Sequence, residues 1–148
     1  MCFALYGGTI KPLPRKAWRS DARDLSVTSL TERENPIRAH FSKPEIQHIG
    51  STSGCGCDFP HVMFQNGAWP WYDDGEADAE RDASDRHNRE ALAALLRASG
   101  EQTFELYGVW NGDFDFATPP QEREEISLTT LTGPTFRFKE GGFYVVTG

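Results

Sequence analysis

Three cysteines stand in the chain, Cys2, Cys55 and Cys57, and two of them share the segment STSGCGCD at residues 51–58. Gly54 and Gly56 flank Cys55, so the backbone there can fold tightly around something small. Cys2, Cys55 and Cys57 together with His61, four residues past Cys57, make a Cys3His set of the kind that tetrahedral zinc takes. His48 and then His40 are the next candidates for the fourth ligand. One residue between the paired cysteines is closer than zinc knuckles place them, and thiolates at that spacing also hold softer ions such as Cu(I). With no general base identified beside them, a zinc ion on these residues is expected to be structural or ligand-binding.

The same residues support two other kinds of chemistry. Cys55-Gly56-Cys57 can close a small disulfide ring, and strained disulfides are easily reduced and therefore reactive. Cys2 is then the attacking or resolving thiol. No Lys or Arg lies within ten residues of Cys57 to favour its thiolate, and Asp58 adjoins it. Cys2 also becomes the N-terminal residue once Met1 is removed, which joins a thiol and an α-amine on one residue. With Asn111-Gly112 after an apolar strand, this arrangement resembles the N-terminal nucleophile hydrolases, glutamine amidotransferases among them. The resemblance covers these two short stretches, and Phe3 stands where those enzymes usually carry glycine. It implies that the amine of Cys2 acts as base, that its thiol attacks an amide, and that Asn111 and Gly112 supply oxyanion donors.

Other segments carry less specific signals. Trp69, Trp71 and Tyr72, followed by the acids from Asp73 to Asp85, have the composition of a protein-binding loop, although core packing gives tryptophans the same pattern. Arg15, Lys16, Arg19 and Arg23 cluster around Trp18, which reads as a solvated loop. Asp113 and Asp115 flank Phe114 without any EF-hand pattern. Formal net charge is −7 with no dense basic stripe, which argues against nucleic-acid binding. Phosphate-binding, G-x-S-x-G and H-E-x-x-H motifs do not occur. No apolar run reaches the ~20 residues of a membrane helix, and the odd cysteine count disfavours a secreted disulfide framework. A cytoplasmic protein, not bound to membrane or nucleic acid, is the expectation.

Positioning these residues falls to elements that are readable from periodicity. A single domain spanning residues 1–148 is expected, of the α+β class, with a mainly antiparallel sheet of six or seven strands. Strands are expected at Cys2–Tyr6, ended by Gly7-Gly8, then at Leu25–Leu30, Glu45–Gly50 and His61–Gln65. Further strands fall at Thr103–Trp110 and Glu125–Leu131, and a hairpin joins Thr135–Lys139 to Phe143–Val146. Thr31 and Glu34 form a capping box ahead of Pro36. One main helix, from an N-cap at Ser84 to about residue 99, packs its Leu92, Leu95 and Leu96 stripe on one face of the sheet, with Gly100 at C′.

Overall fold

Phe3, Leu5 and Gly7 alternate with Ala4, Tyr6 and Gly8 along a strand that is buried over its whole length. Both of its faces must therefore be covered, and the rest of the fold supplies the two covers. The computed structural model describes residues 3–22, 24–61, 79–110 and 115–148. Among these, six strands form one sheet: β1 Phe3–Thr9, β2 Ser26–Ser29, β3 Glu45–Gly50, β4 Thr103–Trp110, β5 Glu122–Ser127 and β6 Gly142–Thr147. Their spatial order is β2-β3-β1-β4-β6-β5, antiparallel throughout except for the parallel β5–β6 pair. With one long helix, α1 Ala79–Ala98, this is the expected α+β fold.

On one face, Phe3, Leu5, Ile49, Phe104, Leu106 and Val146 pack against Leu92, Ala93 and Leu96 of α1. Leu128 and Leu131 of the single-turn helix α2 Leu128–Leu131 join them. On the other, Tyr6, Ile46, Tyr107, Val109 and Phe143 lie under Ile37, Phe41 and Phe116. Ile37 belongs to a 3-10 helix, Asn35–His40, with Pro36 in its first turn. The turn leading into it is the expected box, with Thr31 N–H donating to Glu34 Oε1 at 2.9 Å and Glu34 N–H to Thr31 Oγ1 at 3.3 Å.

Four boundaries differ from the sequence reading. β1 runs on through Gly7-Gly8 to Thr9, because the missing side chains admit neighbours: a Cβ on Gly8 would stand 2.6 Å from the Phe41 ring. α1 begins at Ala79, five residues before Ser84, since the alanines and acids there are compatible with a first helical turn. Glu125–Leu131 is split: β5 ends at Ser127, whose hydroxyl accepts the Thr130 N–H and turns LTTL into helix. The hairpin is absent among the described residues. Phe138 N–H instead bonds Pro60 O at 2.8 Å, and Phe138 bridges His61, so this segment pairs with the chain beyond the cysteine loop. Of the expected His61–Gln65 strand, His61 alone is described. Gly100 takes positive φ at 73° after α1, as its place at C′ implies.

Candidate functional site

The cysteine loop leaves the end of β3 and lies against the first residue of the neighbouring strand. Gly56 N–H donates to the Phe3 carbonyl at 2.9 Å. A Cβ on Gly56 would come within 2.4 Å of that same oxygen, so glycine between the two cysteines is a condition of this seating. Gly54 is the other required glycine: its φ is +93°, and its Cα faces the Trp18 ring. Trp18, 45% exposed, thus lies on the cysteine loop and donates Nε1–H to Thr52 O at 3.1 Å. Two of its basic neighbours are paired with acids, Lys16 with Asp24 and Arg19 with Asp21.

From below, α1 holds the loop through a fully buried amide. Asn88 Oδ1 accepts the Thr52 N–H at 3.0 Å, and its Nδ2 donates to Thr52 Oγ1 and to Ser84 O. Ser51 closes the turn, its N–H reaching Cys55 O at 2.6 Å.

Within the loop, Cys55 is half-buried and Cys57 exposed, and both are thiols. The Cys55 sulfur accepts the Cys57 N–H at 3.4 Å and lies 3.7 Å from Ser53 Oγ. Cys57 borders a cleft of about 310 Å³ whose other walls, among the described residues, are Asp58, Phe59, Pro60, His61, Ser84, Asp85 and Arg137. His61 Nδ1 lies 2.6 Å from Phe59 O. A carbonyl can only accept, so Nδ1 carries a proton and donates in this contact. That ring stacks on Phe3, with centroids 4.6 Å apart, and stands edge-on to Trp110 at 5.4 Å. Trp110 Nε1 is buried there without a hydrogen-bond partner, an unsatisfied donor of the kind that calls for an explanation.

The expected site residues are thus partly gathered. Cys55, Cys57 and His61 belong to one loop seated on the head of β1. Even so, no group of three or more His, Cys, Asp and Glu residues among the described residues is arranged to hold a metal ion. Cys2, Asn111 and Gly112 lie outside the described residues, as do Asp113 and the Trp69, Trp71 and Tyr72 segment. β1 and β4 are neighbours, with Phe3 opposite Trp110, which is the strand adjacency the hydrolase resemblance requires. His48 and His40 face the other side of the sheet, against Tyr6 and Tyr107 respectively, and are remote from the loop's chemistry. Asp115 accepts the Ala117 N–H in a local turn.

Comparison with protein families, curated proteins and solved structures gives no match. The chemistry must be read from the residues. No described helix is long and apolar enough to cross a membrane.

Sequence reasoning missed Arg137, whose separation of 80 positions from Cys57 left no signal. Ser84, Asp85 and Asn88 were half legible: the helix was expected, but its polar face was not connected to the loop.

Proposed function

We propose that the protein is a thiol–disulfide protein whose reactive pair is Cys55 and Cys57. The observation that carries this reading is the placement of exposed Cys57 in a cleft shared with His61 and Arg137, while the Cys55 sulfur faces the Cys57 amide. The thiolate is the nucleophile, and a guanidinium and an imidazole on the walls of the same cleft favour it while Asp58 and Asp85 oppose it. Cys57 attacks an incoming disulfide and forms a mixed disulfide, releasing one thiolate. Cys55 then attacks the Cys57 sulfur, closes the ring and releases the second thiolate. Two protein thiols lose two electrons, the substrate disulfide gains them, and the two thiol protons pass to the released groups.

The test is oxidation in glutathione buffers of graded poise, followed by alkylation and intact mass, in a Cys2→Ser background. Two alkylation sites should be lost together as the buffer becomes oxidising, and neither Cys55→Ser nor Cys57→Ser should form the ring. Both thiols remaining alkylatable at a strongly oxidising poise would sink the reading.

The zinc reading is supported by the Gly56–Phe3 bond, which brings the cysteine pair to the residue that follows Cys2. His61 fits it as well, since metal-binding histidines commonly donate their second ring N–H to a carbonyl. Elemental analysis separates the two readings: one zinc per chain, lost with Cys2→Ser, would favour the metal.

A further inference from the structure

We infer that the hydroxyls of Ser51 and Ser53 hold Cys55 as the resolving thiol, and that Ser53 assists its attack on the mixed disulfide at Cys57. This rests on the thiol reading above and adds to it what fixes the order of the two attacks and which group serves the second.

The contacts around Ser53 have directions that follow from counting protons. Fully buried Ser51 donates its hydroxyl proton to the Cys55 carbonyl, which can only accept. A hydroxyl has a single proton to give. In the contact between Ser51 Oγ and Ser53 Oγ at 3.0 Å, Ser51 therefore accepts and Ser53 donates. The proton of Ser53 is thereby spent. In its contact with the Cys55 sulfur at 3.7 Å, Ser53 accepts and the sulfur donates, which requires Cys55 to be a protonated thiol. Cys57 is the exposed member of the pair and borders the cleft. Since the thiolate is the nucleophile, the order follows: Cys57 attacks first and Cys55 second.

The second attack needs the Cys55 proton to leave. The run of hydroxyls ends on a carbonyl and offers no onward path, but Ser53 is exposed, so the proton departs there to water. A sulfur anion can only accept, and Ser53 meets it by turning its own proton from Ser51 to Cys55. Ser51 loses an incoming bond and keeps the one it donates. The Cys55 thiolate then has two donors at hand, the Ser53 hydroxyl and the Cys57 N–H, 3.4 Å from the sulfur. Hydrogen bonds to an ionised partner are about twice as strong as neutral ones, so the turn of Ser53 favours the anion over the thiol. The anion attacks Cys57 Sγ and the Cys55–Cys57 bond forms. The bond from Cys57 to the substrate sulfur breaks, and the released thiolate keeps the electron pair and takes up the proton that Cys55 gave to water.

The experiment follows 5,5′-dithiobis(2-nitrobenzoate), at less than one equivalent, reacting with the reduced protein in the Cys2→Ser background. Thionitrobenzoate should appear in two phases, a bimolecular one for the mixed disulfide and a unimolecular one for ring closure, and intact mass should then show a chain without adduct. Ser53→Ala should slow the second phase about tenfold, the effect of one hydrogen bond to a charged group, and leave the first unchanged. Ser53→Thr, which keeps the hydroxyl, should restore the second phase. The order of attack is read without touching Ser53: Cys55→Ser should react at the rate of the first phase, and Cys57→Ser about tenfold more slowly, as a protonated thiol does. A second phase that is the same with and without the Ser53 hydroxyl overturns the inference, and so does Cys57→Ser reacting as fast as Cys55→Ser. In either case ring closure in the Cys2→Ser protein leaves the thiol reading standing. Adducts that persist on the chain, with no second phase, bring down both.

Discussion

A Cβ on Gly56 would press on the Phe3 carbonyl oxygen, and the amide of the same residue is bonded to that oxygen. The residue cannot gain a methyl group without breaking the bond that seats the loop. Gly56→Ala should therefore lower stability by about 1–3 kcal/mol, the usual cost of overpacking, and speed alkylation of both neighbouring thiols. An unchanged urea midpoint would mean that the loop is not held on β1. On the other face, Tyr6 donates to Glu34, and His48 stands edge-on to Tyr6. Burial lowers the His48 pKa, and the nearby Glu34 charge only partly offsets this. Burial pushes the Glu34 pKa up, but hydrogen bonds from Tyr6 and Thr31 outweigh it and leave the carboxyl below its ordinary value. Both folded-state values lie beneath their unfolded ones. The stability they contribute is thus fully present above the ordinary histidine pKa of about 6.5 and is lost as pH falls through the folded values. The urea midpoint should decline between pH 7 and pH 4, and His48→Gln should flatten the upper part of that decline. At this scale the nearness of Cys55, Cys57 and His61 was legible because their types are rare and their spacing is local. Arg137 was not, because only the folded chain brings it near.

The order of elements was more legible than their ends. The strands β3 and β4 were placed without error, β4 by its alternation, and the Leu92, Leu96 stripe placed α1, since periodicity reports burial directly. The misreadings arose where one hydrogen bond redirected the chain, at Ser127 and at Phe138. Such bonds leave little trace in apolar pattern. A link from α1 to the cysteine loop is of the same kind, the completely buried amide of Asn88. Asn88→Ala leaves the Thr52 N–H and hydroxyl without this partner and should cost about 1–3 kcal/mol. It should also raise the amide exchange of residues 51–56 above that of β3, while the helix content seen by circular dichroism stays the same. Equal protection of loop and strand in the variant would show that α1 does not steady the loop.

Among the described residues the molecule is a sheet with a core on each side and the cysteine loop resting on the end of a central strand. That arrangement puts the loop and the fold in one thermodynamic cycle. Folding the dithiol, oxidising it, unfolding the product and reducing it again must sum to zero. The folded potential of Cys55 and Cys57 therefore differs from the unfolded one by the stability difference between the oxidised and reduced proteins. The Gly56–Phe3 bond is formed with both sulfurs as thiols, and strain in a ring closed across Gly56 would act on it. The oxidised protein should accordingly melt at a lower urea concentration than the reduced one. Each 1.4 kcal/mol of that gap makes the folded pair about 30 mV more oxidising than the same pair in the unfolded chain. Two denaturation curves, recorded with and without reductant, would thus measure how far the sheet itself sets the potential of the loop that rests on it.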